Sequence, residues 1–155
     1  MKIKSLKELW FEQSSGEYRE NLQKQILKLY HQLTNSQYQD IERERFEQQI
    51  IHIFENKFHA IYLLQDSNHK VVAMATLFIE PKLIHDISFV GHIEDVVVDK
   101  KERGKGYGKQ IVSFLVKKAQ KQKCYKIILD AKEKNKKFYE KIGFTQSQLG
   151  FSIYF

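Results

Sequence analysis

A chain of 155 residues carrying a formal charge of +7 is long enough for one packed domain and basic enough to attract an anionic partner. Its hydrophobic share of 42% and aromatic share of 13% exclude an intrinsically disordered protein. Cys124 is the only cysteine, which excludes an intrachain disulfide, and the scattered histidines form no cluster with zinc spacing, so no metal is expected.

Nucleic acid, an acidic membrane surface or a phosphorylated small molecule would each answer the positive charge. The basic residues are spread over several helices, however, and no RRM, KH or helix-turn-helix signature accompanies them, which argues against nucleic acid. The opening MKIKSLKELWFEQ lacks the apolar core of a signal peptide, and no apolar run is long enough to span a bilayer. A soluble, cytoplasmic protein without membrane contact is therefore expected, with a single domain over 1–155.

In chain order, residues 9–13 read as a short first strand, followed by a turn at 14–16. Leu22, Ile26, Leu29, Tyr30 and Leu33 recur at helical spacing, so a helix is predicted over 17–31. Ile41, Phe46, Ile50, Ile53 and Phe54 give a less regular helical face within 37–54. Residues 58–65 and 71–80 read as strands joined by the turn Asp66-Ser67-Asn68-His69, an antiparallel hairpin closed by Pro81. Residues 82–85, KLIH, form a loop.

Residues 91–109, GHIEDVVVDKKERGKGYGK, carry the strongest local signal. A β-branched strand over 92–99 runs into a glycine-rich turn, then into a helix with its apolar stripe at Ile111, Val112, Leu115 and Ala119. Such a turn presents free backbone N–H groups at a helix N-terminus, a site for phosphate or pyrophosphate. Side chains at Gly104, Gly106 or Gly108 would hold an anion away from the backbone, and Arg103, Lys105 and Lys109 add charge. The run fits neither the P-loop, because Gln110 follows Lys109 and the spacing is one residue short, nor the dinucleotide fingerprint GxGxxG.

A short buried strand is expected over 126–130, with Asp130 at its C-terminal end, where ligands gather in open α/β sheets. A short helix follows over 135–142, stopped by Gly143, and residues 145–155 look extended. The order β, α, α, β, β, β, loop, α, β, α, β describes a mixed, twisted α/β sheet with helices on both faces, its central strand–helix–strand unit supplying a parallel pair.

Arg103-Gly-Lys-Gly-Tyr-Gly108 fits R-x-x-G-x-G and, with Asn135 and Phe138-Tyr139 ahead of Gly143-Phe144, resembles the acetyl-CoA loop and closing stretch of the GNAT superfamily of N-acetyltransferases. The segments KLIH, GHIEDVVV, RGKGYGK, CYKIILD and NKKFYEKIGF, in this order and spacing, resemble more closely the glucosamine 6-phosphate N-acetyltransferases, densely over 82–144 and loosely before.

That resemblance implies the GNAT fold. It implies direct transfer of the acetyl group of acetyl-CoA to the 2-amino group of glucosamine 6-phosphate, a step toward UDP-N-acetylglucosamine, without an acyl-enzyme. It implies a bulged central strand whose backbone at Val96, Val97 and Val98 meets the pantetheine arm and the acetyl carbonyl. Arg103, Gly104, Lys105, Gly106, Tyr107, Gly108 and Lys109 would hold the pyrophosphate, with Asn135, Tyr139 and Lys141 completing the cofactor side and Tyr139 serving the departing sulfur.

On the acceptor side it implies Thr34, Lys82, Leu83, Ile84, His85, Tyr125 and Lys126. Glu94 is assigned to amine deprotonation and Asp95 to substrate hydrogen bonds, with Asp130 the rival base; the sequence does not choose among the three. Adjacent residues of a regular strand face opposite sides, so Glu94 and Asp95 serve one substrate only if the strand bulges.

The family is a homodimer packed through its final strands, compatible with apolar Phe151, Ile153 and Phe155. One departure stands out: Tyr154 occupies the position of the family's phosphate-binding arginine and brings neither charge nor a bidentate fork. The competing readings are a GNAT enzyme acting on another amine and a non-catalytic acyl-CoA-binding module.

Overall fold

A computed structural model describes residues 1–12, 15–35, 41–147 and 150–154. β1 (Lys2–Ser5) runs directly into α1 (Leu6–Glu12), so the strand expected over 9–13 is a helix at 9–12, residue 13 lying outside the described residues. The physical reason is a capping box. The Ser5 hydroxyl accepts from the Glu8 N–H at 3.2 Å, and the Glu8 carboxylate accepts from the Ser5 N–H at 2.6 Å. Leu6, Leu9 and Trp10 are then buried along one side of the helix.

α2 (Gly16–Thr34) starts at Ser15, whose side chain accepts from the Tyr18 N–H, and stops at Asn35 in the left-handed region. α3 spans Arg43–Glu55; the part of its expected range at 37–40 lies outside the described residues. The hairpin is as expected: β2 (His59–Gln65) and β3 (Val71–Pro81) flank a turn in which Asp66 Oδ1 accepts from the N–H groups of Asn68 and Lys70 at 2.8 and 3.0 Å. A single turn, α4 (Ile84–Ile87), precedes β4 (Phe89–Val98). A 3-10 turn (Lys100–Glu102), α5 (Tyr107–Lys121), β5 (Cys124–Ile128), a second 3-10 turn (Glu133–Asn135) and α6 (Lys136–Glu140) complete the order.

The five strands lie in the order β1-β2-β3-β4-β5, antiparallel except for the parallel β4–β5 pair. Helices cover both faces. Leu6, Leu9, Leu22, Ile26 and Leu29 pack with Leu63, Met74 and Val97 on one side, and Ile111, Val112, Leu115 and Ala119 of α5 pack with Leu64, Ala75, Leu77 and Ile93 on the other. Each fully buried leucine or isoleucine contributes roughly 1.5–3 kcal/mol by leaving water.

Two expectations at the C-terminal end are corrected. β5 begins at Cys124, ahead of the predicted 126, and among the described residues it is an edge rather than a buried strand, with Tyr125 and Lys126 exposed. Among the described residues no strand follows α6, and Phe151 and Ile153 are 92% and 82% exposed. Phe155 lies outside the described residues.

Gly91 sits where β4 passes between α5 and β5. A Cβ there would stand 3.2 Å from the Ala119 Cβ and 3.3 Å from Ile127 Cγ1. Gly91→Val is accordingly expected to overpack this layer and lower stability by about 1–3 kcal/mol, read as a shift in urea midpoint. An unchanged midpoint would show that α5 can withdraw freely.

Candidate active site

The centre of β4 is bulged. Thr76 pairs with Glu94 and Met74 with Val97, so one residue of β3 opposes both Asp95 and Val96. Asp95 adopts φ 53, a conformation that aspartate tolerates better than a β-branched residue. The extra residue reverses the facing of everything after it. Ile93 packs toward α5, whereas Val97, of the same parity, packs toward α2; Val96 and Val98 take the α5 side. Glu94 and Asp95 are both exposed as a result, and the alternation that separates neighbours in a regular strand no longer divides them.

Beyond β4, Asp99 begins the 3-10 turn and Arg103 folds back, its Nε donating to the Val98 carbonyl at 3.3 Å. Gly104 and Gly106 have φ 80 and 81, with no heavy atom within 4 Å of where a Cβ would stand. They answer two demands at once: a left-handed backbone and open space above it. Gly106 starts α5 with no side chain capping the first turn, which leaves the leading N–H groups of the helix to an anion. This cradle fits a pyrophosphate. Gly108 has a different reason from the one expected, since a Cβ there would meet the Phe138 ring at 3.2 Å; it packs α5 against α6. Lys105 is held by Glu102 at 2.8 Å, and Lys109 is exposed.

Tyr139 of α6 is half-buried between Phe138 and Phe144, with ring centroids at 4.9 and 5.9 Å. Burial pushes its hydroxyl pKa above the ordinary value, and the Glu94 charge pushes the same way. The Glu94 carboxyl is also raised, first by the atoms crowding it and then by Asp95 and Asp130, with His92 opposing. Asp95 is raised as well, by the protein atoms packed around its carboxyl, against the pull of His59. The three candidate carboxylates and Tyr139 therefore share one electrostatic neighbourhood. A raised carboxyl beside a protonated phenol is the pairing that base and acid roles require. Asn135 ends the 3-10 turn before α6, and Lys141 follows the helix, exposed.

The 82–85 segment is not a plain loop. His85, Asp86 and Ile87 have φ of 52, 57 and 56, a left-handed turn pinched at its base where the Lys82 N–H donates to the Ser88 carbonyl at 2.8 Å. The turn carries His85 onto β5, ring to ring with Tyr125 at 4.2 Å, while Lys126 Nζ lies 5.7 Å from the Tyr125 ring centroid. Three predicted acceptor-side residues thus come together, with Leu83 and Ile84 exposed beside them. Lys82 is paired with Glu80. Thr34 stands in the last turn of α2, where its hydroxyl donates to the Tyr30 carbonyl at 3.0 Å.

Two neighbours of the site escaped the sequence reading. His92 meets Glu80 at 2.9 Å and stacks edge-on to Phe78, whose other neighbour is His59. The Gly150 backbone lies against Asp130, so that a Cβ there would stand 3.3 Å from Oδ1. Strand register and chain return create these contacts, and no spacing in the sequence signals either.

The Acetyltransferase (GNAT) family profile matches residues 24–144. The chain is 41% identical over 98 residues to glucosamine 6-phosphate N-acetyltransferase of Arabidopsis thaliana, covering 63% of this chain and 66% of that one. It is 48% identical over 83 residues to the protein of the same name from Candida albicans, covering 54% and 56%. These matches thus span less than two thirds of either relative. In three dimensions it is similar to the crystal structure of glucosamine-6-phosphate N-acetyltransferase from Arabidopsis thaliana, with a TM-score of 0.84 and 32% identity over 99% of this chain and 97% of that one.

Proposed function

The chain belongs to the acetyltransferase (GNAT) family, and from that premise we propose that it transfers the acetyl group of acetyl-CoA to the 2-amino group of glucosamine 6-phosphate. The observation that carries this reading is the β4 bulge, which leaves Glu94 and Asp95 exposed in one electrostatic neighbourhood with Asp130 and Tyr139. The names of the relatives supply the acceptor.

Acetyl-CoA supplies the acetyl group as an activated thioester. The residues proposed to hold it are the backbone of Val96, Val97 and Val98, the cradle from Arg103 to Lys109, and Asn135, Tyr139 and Lys141. At neutral pH the sugar amine is largely an ammonium and cannot attack. A carboxylate must first take its proton, and Glu94, raised from its ordinary value, holds that proton better than a solvated glutamate would. Asp95 orients the sugar, and Asp130 is the rival base. Tyr139, kept protonated by burial, donates to the departing sulfur.

His85, Tyr125, Lys82 and Lys126 receive the sugar phosphate. Tyr154, 93% exposed in this single chain, offers a hydrogen bond without charge, so lysine carries the electrostatic load. We place a second copy of the chain over Phe151 and Ile153, whose exposure leaves two large apolar side chains unburied. Light scattering at the monomer mass of 18.5 kDa would overturn that dimer.

The test follows thiol release from acetyl-CoA with glucosamine 6-phosphate, glucosamine, glucose 6-phosphate and spermidine in parallel. Turnover confined to glucosamine 6-phosphate is expected, since only that compound offers both the amine and the phosphate. Silence with this sugar while CoA binds would leave the family standing and remove the acceptor.

A further inference from the structure

Alongside its apolar stripe, α2 carries a polar one. Gln25, Lys28 and Gln32 recur at spacings of three and four, so they share a face. Each reaches a different point of the sheet. Gln25 Oε1 accepts from the Val71 N–H at 2.7 Å, Lys28 Nζ stands 3.5 Å from Asp99 Oδ2, and Gln32 Oε1 accepts from the Lys100 N–H at 2.7 Å.

The last two contacts fall on the short segment joining β4 to the glycine cradle. Asp99 is 2% exposed. Its other carboxylate oxygen accepts from the Lys101 N–H at 3.0 Å, its N–H donates to the Val72 carbonyl at 2.9 Å, and its carbonyl accepts from the Glu102 N–H at 2.8 Å. The segment is thus tied to β3 beneath it and to α2 beside it, and Arg103 follows directly. Burial works to raise the Asp99 carboxyl, but the Lys101 bond and the Lys28 charge outweigh it and hold it low, so the anion persists at neutral pH.

We propose that Lys28 and Gln32, acting on Asp99 and Lys100, are positioning residues for the acetyl-CoA loop: they fix where Arg103 to Gly106 stand over the sheet and thereby set cofactor affinity, touching neither substrate. The proposal rests on the cofactor assignment made above for that loop and is independent of the identity of the acceptor. Backbone N–H groups bind an anion well only when they converge on one point, and tethers from α2 and β3 to the segment just ahead of the turn limit the freedom that would let them diverge.

Gln32→Leu removes one tether without altering charge, and Lys28→Met removes the other. Gln25→Leu is the internal control. It deletes a bond of equal length on the same helix face, but one that ends on the hairpin. Calorimetric titration with CoA needs no acceptor, so this result stands even if glucosamine 6-phosphate is inert. Gln32→Leu and Lys28→Met are each expected to weaken CoA about 3- to 10-fold, the worth of one hydrogen bond, while Gln25→Leu stays within about twofold.

Urea midpoints are measured beside them: each of the three variants loses one helix-to-sheet bond and is expected to lose some stability, so it is the affinity that separates the tether pair from Gln25→Leu. Unchanged affinity in both tether variants, or an equal loss in Gln25→Leu, would overturn the proposal and leave α2 as a cover for the sheet.

Discussion

Tyr139→Phe is expected to lower kcat about 100-fold while the KM for acetyl-CoA stays within about twofold, because it deletes one hydroxyl that works in the transition state. The substitution is structurally gentle. The ring, edge-on to Phe138 at 4.9 Å and Phe144 at 5.9 Å, is retained, so packing and the urea midpoint should hold. The hydroxyl is suited to donation because burial, with the Glu94 charge behind it, raises its pKa and keeps it protonated. A departing thiolate needs such a donor, and phenylalanine provides none. A kcat within about twofold of wild type would reduce Tyr139 to a core aromatic and remove the acid from the mechanism.

The parts of this site that were legible in the sequence are those whose causes are local. Gly104 and Gly106 declare a left-handed turn, the stripe from Ile111 to Ala119 declares the helix it opens, and Gly143, at φ 106, turns the chain away after α6. The bulge was expected from resemblance alone, since nothing in the apolar alternation of GHIEDVVV distinguishes a regular strand from a bulged one. α1 was misread because the window over 9–13 is too short to reveal a period. The signal lay earlier, in Ser5 and Glu8. β5 has the composition of a buried strand, and it is an edge because no strand pairs with its outer side among the described residues.

Contacts between distant segments were invisible for a different reason. Gln32 and Lys100 are 68 residues apart, and Lys28 and Asp99 71. Their pairing follows from the placement of α2 on the sheet, which no spacing encodes. His92 and Glu80 meet because β3 and β4 are in one register and not the next. The site is therefore read in two parts: loops and termini from residue types, and the electrostatic grouping around Glu94 only once the strands are aligned.

Glu94→Gln is expected to move activity and stability in opposite directions. As the base, Glu94 must be ionised to take the ammonium proton, and its loss should cost about 100- to 1,000-fold in kcat/KM. In the wild type, kcat/KM should fall as pH drops through the raised pKa of Glu94, above the ordinary 4.5. The stability sign is the reverse. A carboxyl raised in the folded state binds its proton more tightly there than in the unfolded chain, so ionising it costs stability. Glutamine stays neutral, and the variant should therefore melt higher than wild type at neutral pH. That advantage should shrink as pH falls through the raised value and vanish below 4.5, where the wild-type carboxyl is protonated in both states. Asp130→Asn supplies the comparison. If it abolishes turnover and the acid limb of the profile while Glu94→Gln keeps both, the base is Asp130. If Glu94→Gln gains stability yet keeps full activity, the crowding around Glu94 serves substrate placement and not proton transfer.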